Sequence, residues 1–568
     1  MVAHFSGDRD ARAPMTLGQR NIAQWLSTAP DHRYATLHWT LDVPAGTSLD
    51  ELAGAFSVLL RRHEGLRTVY LGDTLAQRVI RSGALTIEVH HETADGSVDG
   101  EAVAAELLAS VDSPSTSDGR GCDLPLRVAV AMHEGTVCAA VIRYSHLAVD
   151  LHAMAVVGRE LAQLLGSPPD RVAGPPAPRG PHQPVDLAAT EAAPAMRGRH
   201  EAALSRWDEY LRRMPPSLYA APRTGTESGP GAVLLSSPAA AIALRHLYAR
   251  TRTSPPSVVL AAVCAVLARR TGYRELLLPL LSSNRFRPEL ANYVGTLVQT
   301  TMFALNLDGA GLDTLVRRTH AAMLDGARLG AYDAYRMAAL RHRIEHERGV
   351  ALNFEPVFNN LVLEGGRTRP RPVEPVDAVA AATARSRLHR QPVPGLSTPL
   401  SAELLQVDGV LRLRLCSADL SLAGRAELDA LLLAVERVLV AAAGTDLDCG
   451  AVDEVIALEP LRRGPGWLYL DRAWVDLAEV RRLVADACAP AVTGVFATGG
   501  SGLVAYLAGG RTDAGGPAEA HGSCLATLPG RVGALAPHRY MVCGGAPEDA
   551  GDEAAWQRLP VLTEGSGR

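Results

Sequence analysis

The sequence predicts a mixed α/β (α+β) fold that is divided into three units. The first observation is length, because 568 residues are too many for one compact hydrophobic core. The second is patterning: runs with strand-like alternation are interspersed with runs that repeat apolar residues every three or four positions, as amphipathic helices do. The third is a Pro/Gly-rich connector at 166–184 and a polar linker at 444–450, which divide the chain into units at 1–170, 171–443 and 451–568.

The first unit is predicted to alternate strands and helices. Strands are expected at 36–43 and 137–146, and amphipathic helices at 48–63 and 151–165. The connector that follows, GSPPDRVAGPPAPRGPHQP, cannot easily be helix or strand because each proline removes a backbone donor.

The second unit is predicted to carry more elements of both kinds. Helices are expected at 201–214, 256–272, 312–325, 333–346 and 426–442. Strands are expected at 276–283, at 297–307 and within 401–420. Gly272 suits a helix end, and Asp408-Gly409 suits a hairpin turn.

The third unit is small and also mixed. A helix is expected at 474–487, with strands at 493–497 and 503–508. Because no repeat of fixed short period occurs along the chain, a solenoid is not expected.

The basic residues exclude several classes of mechanism. The chain contains no lysine, so all 56 of its basic residues are arginine. Schiff-base and pyridoxal chemistry and phosphate binding by a P-loop lysine are therefore excluded. Arginine cannot replace lysine as a base because it stays protonated. The net charge of −5 gives no electrostatic reason to expect a nucleic acid as partner.

The cysteines and the apolar runs indicate where the protein works. None of the eight cysteines forms a CxxC pair, so neither a zinc site nor a disulfide framework is expected. The N-terminal residues lack the apolar core of a signal peptide, and no apolar run reaches the roughly 20 residues that span a bilayer. We therefore expect a soluble, cytoplasmic protein without a membrane partner.

The stretch RYSHLAVDLHAM (143–154) carries the candidate chemistry. His146 ends an apolar strand, and Asp150 stands where the next helix starts, in position to cap that helix or to bind an arginine. With an ordinary pKa near 6.5, His146 could accept a proton from an amine or hydroxyl that attacks a thioester. The alternative is that His146 only packs in a turn, since a histidine and an aspartate at this spacing are a weak signal by themselves.

Other segments strengthen the catalytic interpretation. They are MTLGQRNIAQWL (15–26), RRHEGLRTVY (61–70), GCDLPLRVAV (121–130), YSHLAVDL (144–151), SSNRFRPEL (282–290), NYVGTLVQTTMFAL (292–305) and NFEPVFNN (353–360). In order and spacing they resemble the condensation domains of nonribosomal peptide synthetases, relatives of chloramphenicol acetyltransferase. RRHEGLRTVY, which is close to the family's RHExLRTxF, is the most specific match. The resemblance covers about residues 13–443.

The resemblance implies two chloramphenicol acetyltransferase-like lobes in a V, whose cleft forms a tunnel for acyl chains held on phosphopantetheine arms of carrier proteins. His146 takes the place of the catalytic histidine. Asp150 takes that of a structural aspartate, and Arg285 that of its ion-pair partner. The tunnel candidates are Leu151, Gly295, Asn359 and Arg67, although Arg67, with Thr68, fits a tie between the lobes better.

Two residues depart from the family pattern. Ser145 replaces the first histidine of the family's HHxxxDG, and Leu151 replaces its glycine. A serine can still form local hydrogen bonds. The isobutyl group of Leu151 could narrow the passage for a pantetheine arm, or it could be an ordinary first-turn helix residue that points into the core.

Other histidines have simpler interpretations. His152 is near His146 in the chain, but two residues along the expected helix it faces elsewhere, which favours surface or core packing. His63 and Glu64 could form an acid/base pair, but in the resembling family they maintain the fold. The chain has no GxSxG elbow, HExxH zinc motif or Rossmann glycine motif, so hydrolase, zinc-protease and dehydrogenase interpretations lack support.

The tail is similar to the small C-terminal subdomain of adenylation domains. The segments that carry this resemblance are WVDLAEVRRLVADACAPAVTGVFATGGSGLVAYLAGG (474–510), HRYMV (538–542) and LPVLTEGSGR (559–568). Arg568 stands where adenylation enzymes carry their catalytic lysine, and the large nucleotide-binding subdomain is missing. We therefore expect no adenylating activity, and interpret the tail as a remnant or as a module that docks a carrier protein.

The sequence thus predicts a stand-alone condensation-type acyltransferase of a natural-product pathway. It would form an amide, or less readily an ester, from a carrier-bound thioester and a small amine or alcohol, with no cofactor of its own. The main alternative is a catalytically silent relative that binds a carrier protein or partner synthetase. An epimerising or cyclising variant is a minor alternative, and the paired aspartates typical of the cyclising type are lacking.

Overall fold

Strands and helices alternate along the whole described part of the chain. The computed structural model describes residues 1–28, 36–71, 74–91, 100–110, 124–166, 182–222, 227–362, 374–391, 398–499, 502–509 and 512–568. Every statement below refers to these residues.

The first lobe contains one large and one small sheet. Its strands are β1 (Val2–Ser6), β2 (Ala11–Pro14), β3 (Thr36–Leu41), β4 (Thr68–Leu71), β5 (Ala76–Val79), β6 (Ser82–His91), β7 (Leu126–His133) and β8 (Thr136–Ser145). Its helices are α1 (Leu17–Thr28), α2 (Leu49–Arg62), α3 (Gly100–Ser110) and α4 (Leu151–Leu164). The large sheet has the order β1-β6-β7-β8-β3 with β6 and β7 parallel, and the small sheet has the order β2-β5-β4.

The second lobe is built on one seven-stranded sheet. Its strands are β9 (Gly231–Ser237), β10 (Glu275–Ser282), β11 (Gln299–Asn306), β12 (Val357–Asn360), β13 (Arg387–Gln391), β14 (Leu400–Gln406) and β15 (Leu411–Ser417), in the order β11-β10-β12-β14-β15-β9-β13. Its helices are α5 (Pro184–Glu191), α6 (Pro194–Arg213), α7 (Pro238–Thr251), α8 (Pro255–Thr271), α9 (Leu312–Arg328), α10 (Ala334–Arg348), α11 (Asp377–Thr383), α12 (Arg425–Ala441) and α13 (Cys449–Ile456).

The tail has a hairpin and a four-stranded sheet of its own. Its strands are β16 (Trp467–Leu470), β17 (Ala473–Asp476), β18 (Val492–Thr498), β19 (Gly502–Ala508), β20 (Arg539–Cys543) and β21 (Val561–Gly565). Its helices are α14 (Leu477–Ala487), α15 (Thr512–Thr527) and α16 (Glu553–Gln557). The sheet order is β18-β19-β20-β21, in which β19 and β20 are parallel.

Local sequence accounts for many of these boundaries. The Ser48 hydroxyl accepts a hydrogen bond from the Glu51 amide at 3.2 Å, and the Glu51 carboxylate accepts one from the Ser48 amide at 2.8 Å, so a capping box begins α2. Helix α8 ends at Gly272, whose φ of 83° suits glycine. The predicted hairpin turn before β15 is confirmed, with Gly409 at φ 75°.

Most predicted elements are confirmed, and the differences have identifiable causes. Helix α6 begins at Pro194 and so extends beyond the predicted 201–214. Residues 474–476, predicted as helix, form β17 because they pair with β16. The predicted domain boundary near residue 170 lies outside the described residues.

Helix α13 belongs structurally to the second lobe. Its Val452 and Ile456 are buried in the core of that lobe, together with side chains of α8 and α12. The third unit was predicted to begin at residue 451. Because α13 packs in the second lobe, the first strand of the tail begins only at Trp467.

The tail shares a hydrophobic core with the second lobe. Trp207 of α6 and Ile344 of α10 belong to the same buried cluster as Val480 and Leu483 of α14 and Tyr540 of β20. Burial of each such side chain stabilises the fold by about 1.5–3 kcal/mol. The tail and the second lobe are consequently packed around one shared hydrophobic core.

The helices were also considered as membrane spans. Within the described ranges, no single helix combines the length and apolar character needed to cross a bilayer, whereas α7 and α8 together meet the length and composition criteria as a pair bent by 103°.

We expect Ile344→Ala to loosen the tail. Ile344 is fully buried in the shared core, so its truncation is expected to lower the free energy of unfolding by about 2–5 kcal/mol. Hydrogen exchange read out by mass spectrometry should show faster exchange in β18 and β19.

Leu59→Ala is the matched control, because Leu59 is equally buried but lies in the first lobe's core. Its effect on exchange should concentrate in the first lobe. Unchanged tail exchange in Ile344→Ala would contradict a shared core.

Candidate active site

The site begins where β8 ends in a tight turn. The amides of Ala148 and Val149 donate to the carbonyl of Ser145 at 2.9 and 3.3 Å, and the Leu147 amide approaches the Ser145 hydroxyl at 3.3 Å. Ser145 is 1% exposed, so its hydroxyl shapes the turn from inside. The position at which the family has its first histidine is therefore a structural one here.

The His146 ring is held in one orientation. Its Nδ1 lies 2.9 Å from the carbonyl oxygen of Val149. A carbonyl only accepts hydrogen bonds, so Nδ1 carries the proton and Nε2 keeps its lone pair in the neutral ring. The ring also meets Trp25 of α1 edge to face, with centroids 6.2 Å apart.

The electrostatic surroundings keep this imidazole neutral. His146 remains partly exposed. Burial lowers its pKa more than the Val149 hydrogen bond and the Asp150 carboxylate raise it. A neutral, oriented imidazole with solvent access can act as a general base.

Asp150 joins three separate segments. Its carboxylate accepts from the Ala153 amide at 2.9 Å and thereby caps α4, accepts from the Leu297 amide at 2.9 Å, and pairs with the Arg285 guanidinium at 2.7 Å. Burial raises its pKa, but Arg285 and the two amides outweigh burial and hold the pKa below its ordinary value. Asp150 is therefore a fixed anion.

Arg285 holds together the segment of the second lobe that reaches the candidate site. Besides Asp150, its guanidinium donates to the carbonyls of Leu290, Tyr293 and Gly295 at 3.1, 2.7 and 2.9 Å. The whole segment 290–295 is thus wrapped around one buried cation. This arrangement serves to hold Asp150 and places no free charge at the imidazole.

The two lobes approach each other too closely for side chains at two positions. A Cβ on Gly18 of α1 would lie 2.2 Å from the Thr296 carbonyl oxygen, and one on Gly65 would lie 2.4 Å from that of Val294. Val294 itself is buried in the first lobe's core. Segment 294–297 therefore docks into the first lobe beside the candidate site.

The tunnel candidates fall in different places. Leu151 is the first residue of α4 and is partly exposed, outside the core clusters of the described chain, so it is not an inward-pointing core residue. Gly295 is buried, and a Cβ there would lie 2.2 Å from the Tyr293 ring. Asn359 lies on β12, where it pairs in register with Glu403.

Arg67 does not line a passage. It is 1% exposed, and its guanidinium donates to the carbonyls of Arg9 at 3.1 Å and Ile80 at 2.5 Å. Since both partners belong to the first lobe, its hydrogen bonds hold that lobe's small sheet and do not tie the lobes together. The Thr68 hydroxyl likewise bonds within the lobe, to the carbonyl of Glu64 at 2.7 Å.

His63 and Glu64 have different partners. The His63 ring lies 3.0 Å from the Glu160 carboxylate, which links the end of α2 to α4. Glu64 lies 3.4 Å from Arg9 and 3.5 Å from Arg67. These contacts hold elements of the fold together, which is the role that the family resemblance implies for His63 and Glu64.

Three contributors to the site had no usable signal in the sequence. The Val149 carbonyl and the Leu297 amide are backbone groups, and every residue except proline supplies both. Trp25 lies in a motif, but its contact with His146 depends on how α1 packs against the turn. Among the described residues, no group of three His, Cys, Asp or Glu side chains is placed to hold a metal ion.

Comparison with known proteins gives a family and a fold. A family model described as "Condensation domain" matches residues 12–368. The phosphinothricin tripeptide synthetase PhsB of Streptomyces viridochromogenes is 28% identical over 328 residues, which are 56% of this chain and 27% of that protein. The chain spans less than a third of the length of the curated relatives that it matches.

Two solved structures show the same fold. The first condensation domain of the calcium-dependent antibiotic synthetase, in complex with a substrate analogue, has a TM-score of 0.55 at 17% identity and covers 78% of this chain and 98% of its own. The X-domain from teicoplanin biosynthesis, in complex with OxyB, has a TM-score of 0.55 at 16% identity and covers 80% and 98%. The predicted chloramphenicol acetyltransferase-like fold is thereby confirmed, and the tail's resemblance to adenylation domains stays a prediction.

We expect Asp150→Asn to destabilise the protein by about 3–5 kcal/mol, because it strands the buried Arg285 cation. Urea denaturation measures the loss. Since the folded-state pKa of Asp150 is lowered, its carboxylate contributes stability above its ordinary pKa of about 4, and that contribution disappears as the pH falls through the lowered pKa. The difference between the variant and the wild type should therefore shrink in acid.

Asp186→Asn is the control, because Asp186 pairs with Arg9 at 2.8 Å while its side chain is 36% exposed. Its loss should cost about 1 kcal/mol or less. Equal effects of the two substitutions would show that burial of the Asp150 pair does not matter.

Proposed function

Since the chain belongs to the condensation-domain family, we propose that it is an acyltransferase that forms an amide bond between a small amine and an acyl group held as a thioester on a carrier protein. Condensation domains work with the phosphopantetheine arms of carrier proteins and need no cofactor of their own. The expectation of a stand-alone enzyme stays a prediction.

The observation that carries the proposal is the anchored imidazole. The Val149 carbonyl fixes the proton on Nδ1 of His146 and leaves Nε2 as an acceptor, while the ring keeps solvent access. Burial also lowers the pKa values of His521 and His538 in the tail, so the lowered pKa of His146 does not by itself distinguish a base from a packing residue. The support comes from the solvent access of the ring together with its position in the condensation-domain motif. The arrangement favours a base.

The chemistry follows from this tautomer. As the nitrogen of the amine attacks the thioester carbonyl, a C–N bond forms and Nε2 of His146 accepts the proton that the nitrogen loses. The C–S bond then breaks, and the protonated imidazole can return the proton to the leaving thiolate. An alcohol would react in the same way to give an ester.

The other residues act through the position of His146. Asp150 is held by Arg285 and two amides, so it has no proton to exchange near neutral pH and serves as a positioning residue. Ser145 shapes the turn, and Trp25 limits the rotation of the imidazole. General-base catalysis of this kind contributes about 10²–10⁴-fold.

A second candidate function is a silent binding protein. Leu151 is partly exposed at the start of α4, where the family has glycine, so its side chain can occupy space that a pantetheine arm would need. An X-domain of the same fold was solved in complex with another protein, OxyB, which gives a precedent for binding by this architecture. In that case the chain binds a carrier protein or partner synthetase without turnover.

We expect His146→Ala to reduce amide formation about 10²–10⁴-fold. Carrier proteins loaded with candidate acyl groups are incubated with amines, and the product is detected by mass spectrometry. His152→Ala serves as the control, because it removes an imidazole two residues beyond Asp150 and should leave the rate nearly unchanged.

The pH profile distinguishes a base from a packing residue. Since the pKa of His146 is lowered, activity should persist below pH 6.5 and be lost only as the pH falls through the lowered value. Turnover that survives in His146→Ala with an unchanged pH profile would overturn the assignment of this residue.

We expect Leu151→Gly to separate the two functions. If Leu151 blocks the passage, the variant gains amide formation that the wild type lacks, at unchanged affinity for the carrier protein. If the wild type is an enzyme, the variant should not be faster, because the extra glycine at the first helical turn only loosens α4. The same mass-spectrometric assay and a binding titration provide both readouts.

A further inference from the structure

A groove lies where the tail meets the second lobe. It has a volume of about 530 Å³ and opens between the start of β10 and the hairpin β16–β17. Small-molecule sites commonly have volumes of about 300–1,000 Å³ and often lie at such junctions. The groove is lined by none of the residues of the candidate active site.

Aromatic side chains form one wall of the groove. The Tyr469 ring lies 6.4 Å from that of Tyr273 and 5.2 Å from that of Trp474, measured between centroids. Tyr469 is 54% exposed although it is a large ring, whereas Tyr273 is 7% exposed. Tyr273 is buried and the Arg463 guanidinium lies 4.4 Å from the centroid of the Trp474 ring, so the exposed Tyr469 ring offers the face on which a planar group can stack.

Arginine side chains also line the groove. The groove is lined by Arg213, Arg274 and Arg472 and by a single carboxylate, Glu275. Glu275 pairs with Arg213 and lies 3.6 Å from Arg472. The Arg274 side chain is 82% exposed and reaches its nearest partner, Asp308, only at 3.8 Å. Arg213 is also paired with Glu209 at 3.0 Å, so the loosely paired guanidinium groups of Arg472 and Arg274 are the ones that an anion can contact.

One of these cations sits on a strained turn. Leu470 pairs with Ala473, so Asp471 and Arg472 form a two-residue hairpin turn with φ of 46° and 62°. Such turns favour Asn-Gly or Asp-Gly, because non-glycine residues are strained at positive φ. Arg348 holds Asp471 at 3.1 Å, so the second lobe clamps the turn that carries Arg472.

We propose that this groove binds a small planar anion, an aromatic molecule that carries a carboxylate or a phosphate. The ring stacks on Tyr469 beside Trp474, and the anionic group lies between Arg472 and Arg274. The strained turn fits this role, since it holds a guanidinium over the groove where glycine would be the easier residue. The site goes beyond the proposed acyl transfer and does not depend on it.

The groove and the candidate active site lie at opposite ends of one strand. Strand β10 begins at Glu275 in the groove and ends at Ser282, three residues before Arg285. At about 3.3 Å per residue, the two ends are about 23 Å apart. A ligand bound in the groove does not contact the candidate active site, so its binding can be measured independently of catalysis.

Isothermal titration calorimetry on the full chain tests the proposal with four probes. Adenosine 5′-monophosphate and indole-3-carboxylate carry a planar ring with a phosphate or a carboxylate, and adenosine and indole are their neutral counterparts. We expect at least one anionic probe to bind with a Kd below 1 mM and at least tenfold more tightly than its neutral counterpart. Binding of only one of the two shows whether the groove prefers a nucleoside phosphate or an indole carboxylate.

Three variants locate the binding. Arg472→Gly and Tyr469→Ala should each weaken it at least tenfold. Arg274→Gln, at a side chain too exposed to affect folding, should weaken it several-fold. Because glycine relieves the positive φ, Arg472→Gly should leave Tm unchanged or raise it, whereas a purely structural arginine would lower Tm without changing binding.

Arg539→Gln is the matched control, because Arg539 is an exposed arginine on β20 that is paired with Glu564 and lies outside the groove. It should leave binding unchanged. The proposal is overturned if neither anionic probe binds below 1 mM, if the neutral probes bind as tightly, or if binding persists in Tyr469→Ala and Arg274→Gln.

Discussion

The buried carboxylate of Asp150 is the interaction on which the rest of the site depends. Removing an ion from water costs several kcal/mol unless partners replace the water, and here the partners are Arg285 and the amides of Ala153 and Leu297. Because those partners come from both lobes, the lobes cannot separate at this point without stranding a charge. The same carboxylate begins α4, so the turn of His146 is fixed between β8 and the helix.

Where one apolar face alone determines an element, the sequence was sufficient to predict it. Helices α2 and α4 and strand β8 were predicted to within about two residues, since their patterns match one period. Strand β17 was predicted as helix because its apolar residues continue the spacing of α14, and only the pairing with β16 overrides that spacing. Strands β1 and β2 have only five and four residues, so their patterns were too short to predict a strand before β6 and β5 were known as partners.

The residues of the site could be predicted from family motifs, and much less from the residue types and their spacing alone. His146, Asp150 and Arg285 were brought together by resemblance, and the structure places Asp150 and Arg285 in contact although 135 residues separate them along the chain. Arg67 belongs to the most specific motif, yet its contacts lie inside the first lobe. A motif match identifies a residue but does not tell which groups its side chain contacts. The groups that orient the imidazole and the turn are largely backbone atoms, which no side-chain pattern can reveal.

The tail shows how hydrophobic burial fixes a surface that the sequence left undetermined. The sequence interpretation left the tail as either a remnant or a docking module, but its helices share a core with α6 and α10 of the second lobe. That shared core sets the position of the β16–β17 hairpin above the start of β10, and Arg348 at the end of α10 clamps the turn of the hairpin. A module that moved independently could not keep Tyr469 next to Tyr273 of the second lobe. The groove between them is therefore a consequence of the same burial that stabilises the lobe, and strand β10, paired on both sides with β11 and β12, runs from that groove to the segment that holds Asp150.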